Sequence, residues 1–302
     1  MDMIQGVLEQ GLTYVFLALG LYIAYIILDF PDLTVDGSFP LGAAVSVFFI
    51  VKGIDPLLAL ILSFFAGTLA GIATGLIHIK LGVKDLLSGL IMQTALYTIN
   101  LFIAGKANVP IFNNDTIFNN DFINSVVPES LSNYKVLIVM LPIVIVIKLG
   151  LDAFMKTKAG FILKATGDNP NLVKTFAKDP GMIKIQGLAI SNGFVALSGA
   201  LVAQEQKFFE ISMGTGSMVM GLASVVLGMK LLEGVSSIKG TTKVVIGSIL
   251  YKLSIAVAIM IGLTANSMKL ITAIIFLIIL VMGDGRIKRK KVKLNAWIKK
   301  YL

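Results

Sequence analysis

The sequence predicts an all-α, polytopic membrane helical bundle of about nine transmembrane segments, with eight and ten as the bounds. Three observations predict it. Of 302 residues, 56% are apolar and 14% charged, with a mean hydropathy of +0.89, whereas soluble domains carry about 25% charged residues. Long uncharged runs recur along the chain, and a helix needs about 20 such residues to cross hydrocarbon with its backbone groups paired. The 26 Lys and Arg residues are divided unequally among the loops between those runs.

In chain order, the full-length runs are Gly11 to Leu28, Pro56 to Ile77, Leu86 to Gly105, Ile185 to Gln204, Ile211 to Met229, and Val244 to Met268 with Lys252 inside it. Three shorter runs are Phe39 to Val51, Val136 to Ile147 and Leu270 to Gly283. Nine crossings result if Phe39 to Val51 spans, eight if it turns back. Cytoplasmic loops carry the excess of basic residues. With the C-terminus inside, only Lys52, Lys106, Lys135, Lys207 and Lys269 fall outside and Lys252 lies within a span, leaving twenty inside. The start of the chain carries Asp2 and Glu9 and no basic residue. It is therefore expected outside, and the first span is expected to be retained rather than cleaved as a signal peptide.

Composition excludes several chemistries. There is no cysteine and one histidine, His78, so thiolate sites, disulfides, His-based metal clusters and a His triad are all ruled out. His78 beside Lys80 is read as a headgroup-facing ring. The spans hold no pair of acids for general acid and base work, so a membrane enzyme is the weakest class. No metal site is expected.

Three polar stretches interrupt the pattern. DFPDLTVDGSFP, residues 29 to 40, holds Asp29, Asp32 and Asp36 beside two prolines and Gly37. It reads either as a surface turn or as a broken helix whose start lines a polar cavity, where irregular backbone is tolerated at depth. The stretch from about 105 to 135 is Asn-rich and too polar to cross. It reads as a solvated outer loop or as a docking surface for an extracytoplasmic partner. Residues 148 to 184 carry seven Lys and three Asp on the inner side. Within them Thr166-Gly167-Asp168-Asn169-Pro170 signals a turn, with Asp168 or Asn169 capping a following helix. The expectation is a helix–turn–helix along the surface, with Phe161, Ile162, Leu172, Val173 and Phe176 as an apolar face for a soluble partner or for headgroups.

Ionisable groups within spans are costly and functional by default. Lys252 either faces a wet path or snorkels to the inner surface. Gln93, Asn100, Ser191, Asn192 and Gln204 are more often interhelical hydrogen-bond partners than solute contacts, and Gly67, Gly71 and Gly75 mark close helix packing. The tail RIKRKKVKLNAWIKKYL interleaves basic residues with Trp297, Ile298 and Tyr301. Its place just inside a span points to anionic membrane lipids rather than nucleic acid. The domain division is therefore a transmembrane domain, 1–283, and a basic cytoplasmic tail, 284–302.

GFILKATGDNP, followed by GLAISNGFVALSGALVAQ and MGTGSMVMGLASVVLG, resembles permease subunits of ABC importers of the branched-chain amino-acid and ribose type. FPDLTVDGSFPLGAAV, residues 30 to 45, is similar to the tryptophan/tyrosine-type subgroup, and the likeness runs from about residue 11 to about 283. The resemblance implies a bacterial cell-membrane protein that pairs with a second copy of itself, a separate ABC ATPase and an extracytoplasmic substrate-binding protein. It implies that Lys164, Gly167, Asp168, Asn169 and Pro170, with Ala165 and Thr166 in the same coupling segment, meet the ATPase. Lys164 stands where the family often has Arg, which keeps the charge and loses the planar fork. It further implies that Asp32, Thr34, Asp36, Gly37 and Ser38 face the substrate path, to which Gln93, Asn192 and Lys252 are added from the reading of the spans. The implied solute is small, an aromatic or other amino acid, moved inward by ATP-driven alternating access.

No G-x-x-x-x-G-K-[ST] occurs, and GVSSIKGT, residues 234 to 241, has Lys and Gly in reversed order. ATP–Mg is therefore expected in the partner ATPase, with no cofactor held by this chain. Two rivals are an ion-coupled secondary transporter acting without an ATPase, which calls for mid-span acids or His, and a structural scaffold.

Overall fold

The computed structural model describes residues 3–235, 237–261, 270–274 and 276–278. The basic tail 284–302, the C-terminus, and residues 275 and 279–283 of the last predicted run lie outside the described residues. Among the described residues seven helices are long and apolar enough to cross a membrane: Met3–Ile27, Pro56–Lys80, Asp85–Ala104, Glu129–Phe154, Pro180–Gln206, Ile211–Leu231 and Gly240–Met260, with Val35–Val51 a shorter apolar helix. The polytopic helical bundle is thus as the sequence predicts.

The elements in order are α1 (Met3–Thr13), α2 (Val15–Leu21), a wide π-helical turn over Tyr22–Ile27, α3 (Val35–Val51), α4 (Pro56–Lys80), α5 (Asp85–Ala104), β1 (Asn108–Pro110), α6 (Asp121–Val126), α7 (Lys135–Phe154), α8 (Lys158–Asp168), α9 (Pro170–Thr175), α10 (Pro180–Gln206), β2 (Phe208–Glu210), a 3₁₀ turn over Ile211–Gly214, α11 (Ser217–Leu231) and α12 (Gly240–Met260). Three helices start on one local device, an acid or amide followed by proline at the first helical position. Asp55 accepts the Leu57 N–H at 2.8 Å, Asn169 the Asn171 N–H at 3.1 Å, and Asp179 the Gly181 N–H at 2.8 Å.

Helix α10 is the axis of the bundle, buried along nearly all of its length past Leu188. Helix α4 approaches it along Gly67, Gly71 and Gly75, where an added Cβ would run into Asn192, Leu188 and Ile185 respectively. The close-packing expectation for those glycines holds, because only residues without a side chain let two backbones come this near. One end of the bundle carries the α8–α9 hairpin. The other carries the antiparallel pair β1–β2, with Val109 opposite Phe209, and the polar loop that Gln204 pins by accepting the Ile117 N–H at 2.9 Å.

Several boundaries depart from the sequence runs. Helix α3 opens at Val35 rather than Phe39, because Thr34 accepts from the Gly37 and Ser38 N–H groups at 2.8 Å and so forms its first turn. Helix α7 continues seven residues past Ile147, to Phe154. There Asp152 pairs with Lys148 at 2.9 Å and with Lys239 at 3.0 Å, and Thr241 donates to it as well. Thr166, Gly167 and Asp168 belong to the last turn of α8, leaving Asn169 alone as the break.

Candidate functional site

The first span ends in the π-helical turn, a widening of the backbone ladder that concentrates at functional positions. Asp29 follows with a φ of 52°, and the chain then runs irregularly into α3. Past Asp29, which is exposed, this segment does not lie on the surface. Asp32, Thr34 and Ser38 are fully buried against Asn192, which stands twelve residues into α10, about 18 Å at 1.5 Å per residue. Irregular backbone at such depth needs internal partners. Asp32 Oδ1 accepts the Thr34 N–H at 2.9 Å and Oδ2 accepts Asn192 Nδ2 at 2.7 Å; the Ser38 hydroxyl donates to Asn192 Oδ1 at 2.7 Å. The Thr34 and Thr74 hydroxyls bond at 2.8 Å.

In the first turn of α3, Asp36 reaches sideways to the start of α11. Its carboxylate accepts the Met218 N–H at 2.7 Å, the Ser217 hydroxyl at 3.0 Å and the Gly216 N–H at 3.1 Å. An acid thereby offsets the positive end of that helix. Asp36-Gly37-Ser38 at the start of α3 and Thr215-Gly216-Ser217 at the start of α11 are one small-residue pattern used twice. Two helices thus begin beside each other within the bundle.

Beside this junction lies a cavity of about 460 Å³ between α3, α5 and the 3₁₀ turn, lined among others by Asp36, Gly37, Gln93, Tyr97, Asn100 and Thr215. Asn100 is fully buried. Its Nδ2 donates to the Gly37 carbonyl at 3.1 Å, and its Oδ1 accepts from no group among the described residues. A second cavity, about 730 Å³, lies on the other side of the same turn and shares Ser212 and Thr215. Lys252 lines it, with its ammonium 3.5 Å from the centre of the Tyr14 ring.

The predicted path residues therefore separate into three places. Asp36, Gly37 and Gln93 line the smaller cavity, Asp32, Thr34, Ser38 and Asn192 form the sealed network next to it, and Lys252 stands at the larger cavity. The predicted coupling residues separate too. Lys164, Asp168, Asn169 and Pro170 are exposed, Thr166 is buried, and Gly167 packs on the Ile27 carbonyl so closely that a Cβ would overlap it. Sequence reading did not select Asn100 for the site, the cap on α11, or the ring under Lys252. The repeated Gly-Ser pattern was the available signal for the second. Carboxylates also lie towards the ends of two spans: Glu9 is buried in the first, and Glu205 Oε2, one residue from the end of α10, is buried without a hydrogen-bond partner among the described residues. Among these residues no group of three or more His, Cys, Asp or Glu could hold a metal ion.

Residues 3–281 match the family described as branched-chain amino acid transport system, permease component. The chain is 40% identical over 291 residues to a tyrosine transport system permease protein of Clostridioides difficile, covering 96% of this chain and 95% of the relative. It is 31% identical over 283 residues to an uncharacterised protein of Rickettsia prowazekii, covering 92% and 96%. It is 28% identical over 242 residues to a probable branched-chain amino acid transport permease of Methanocaldococcus jannaschii, covering 76% and 75%. With its apolar helices and a family match over nearly its whole length, the chain is an integral membrane protein of the branched-chain amino acid permease family, the permease component of a transport system.

Proposed function

We propose that the protein is the membrane subunit of an ATP-driven importer, paired with a second copy of itself and worked by separate ABC ATPase chains through the α8–α9 hairpin. Its solute is an amino acid with an aromatic side chain, tyrosine being the first choice because that solute is named in a relative 40% identical over nearly the full length. A binding protein outside the cell presents the solute, and the hairpin and the C-terminus face the cytoplasm of a bacterial cell, where the ATPases hold ATP–Mg.

The observation that carries this reading is the seat of Gly167 on the Ile27 carbonyl. The hairpin exposes Phe161, Leu172 and Phe176 beside Lys164 and Lys174, a mixed apolar and basic face suited to a protein partner. Its other side bears on the end of the first span, and five residues beyond Ile27 the chain enters the Asp32 network and then the cavity at Asp36. A push on the hairpin therefore has a short backbone route to the site. Discrete packed arrangements of this kind transmit shifts because cores are bistable rather than elastic.

The test is uptake of L-tyrosine into proteoliposomes holding this chain and an ABC ATPase from the same cell, with a substrate-binding protein supplied on the outer side. ATP inside the vesicles drives uptake, and Phe161→Asp with Leu172→Asp uncouples hydrolysis from it. Uptake that persists without ATP and collapses with the proton or sodium gradient establishes the secondary transporter instead.

A further inference from the structure

We propose that the 460 Å³ cavity beside α5 is a binding site for a primary ammonium group, held between Asn100 Oδ1 and the Asp36 carboxylate, so that the carried solute is recognised within the membrane subunit by its amino end. This rests on the reading of the chain as a solute carrier and adds which end of the solute the subunit grips.

The polar groups of the cavity are unbalanced. Among the described residues the ion pairs fall on Asp152, so the Asp36 carboxylate has no cation within salt-bridge distance, and no Lys, Arg or His lines the cavity. An ionised carboxylate within a membrane bundle is retained at a cost and recruits positive charge. Its three bonds to the start of α11 leave room for about one more at a group with roughly four lone-pair sites. The second acceptor is independent of the first. Asn100 is sealed from solvent, spends its donor on the Gly37 carbonyl, and keeps Oδ1 unpartnered. A buried acceptor in that state lacks a donor. A group with several N–H donors and one positive charge answers both needs, and an alkylammonium has three donors. Pro40, Leu90, Tyr97 and Ile211 on the same lining leave an apolar wall for a side chain, the usual division of a small-molecule site.

The chain has no cysteine, so Thr98→Cys places a single thiol on the cavity wall. The experiment uses the full permease in liposomes without any ATPase, and compares labelling by ethylammonium methanethiosulfonate with labelling by the ethylsulfonate reagent, each normalised to its rate with a free thiol. The cationic reagent is expected to be faster by at least ~10-fold, the scale of one hydrogen bond to a charged group, and Asp36→Asn is expected to bring the ratio near unity. Millimolar tyramine and L-tyrosine slow the labelling, whereas 3-(4-hydroxyphenyl)propionate, which lacks the amine, does not. Asn100→Leu abolishes the tyramine protection. Should that variant fail to fold, the comparison of amine and desamino compounds with Asn100 in place decides alone. Equal normalised rates, no labelling by either reagent, or equal protection by the desamino acid overturns the proposal. Because no nucleotide is present, failure of ATP-driven uptake with this labelling pattern intact removes the importer mechanism and leaves the site standing.

Discussion

Gly167 in the last turn of α8 lies against the carbonyl of Ile27, at the end of the first span, with no room for a methyl group between them. The contact joins the hairpin to the irregular segment that leads to Asp32 and Asp36. Gly167→Ala must displace one backbone or the other, and overpacking of this kind costs about 1–3 kcal/mol. The expected result is a lowered apparent melting temperature in detergent and a loss of tyrosine uptake larger than the loss of ATPase activity. Gly234→Ala is the control for substitution of a glycine at a loop position with open space around it and no positive φ.

Asn192 is the hub of the buried network, donating to Asp32 and accepting from Ser38. Asn192→Leu leaves the Asp32 carboxyl sealed in the bundle without its amide donor, and leaving a buried polar group short of a hydrogen-bond partner costs about 1–3 kcal/mol. The double exchange Asp32→Asn with Asn192→Asp keeps one donor and one acceptor facing each other. It is expected to melt above Asn192→Leu in the same thermal assay.

Asp152 ties the end of α7 to the start of α12 through unlike partners. Lys239 is half exposed, and an exposed ion pair contributes only ~0–1 kcal/mol. The Thr241 hydroxyl is buried, and losing it leaves a buried carboxylate short of a donor, at about 1–3 kcal/mol. Thr241→Val is therefore expected to lower the melting temperature more than Lys239→Ala does. Raising the salt concentration is expected to narrow the effect of the lysine substitution only.

Lys252 holds its ammonium over the Tyr14 ring beside the larger cavity. Lys252→Met keeps most of the side-chain volume and removes a charge from the bundle, so the variant is expected to fold with unchanged or higher stability while its uptake falls. Tyr14→Leu removes the ring face, worth ~0.5–2 kcal/mol, along with its stacking on Phe39, and is expected to lower stability more in the wild-type background than in Lys252→Met. Additive losses in this double-mutant cycle would show that the contact contributes nothing.

Some of this was decided along the chain and some only across it. That the chain crosses a membrane many times follows from its uncharged runs, because each must pair its own backbone before entering hydrocarbon. The breaks at Asp55-Pro56, Asn169-Pro170 and Asp179-Pro180 are equally local, since side chain, proline and the N–H groups they serve lie within a few residues. Glycines at four-residue spacing announced the α4–α10 seam for the same reason. The site was not local. Asn100 meets Gly37 across 63 positions and Asp36 meets Met218 across 182, and no run or spacing pairs them. In a bundle whose helices are apolar on all sides, lipid tails and helix partners look alike to a side chain, so composition cannot tell an outward face from an inward one. Only the packing around α10 decided that Asp36, Gln93 and Asn100 share a cavity, that Asp32 and Asn192 are sealed from it, and that Lys252 stands over Tyr14.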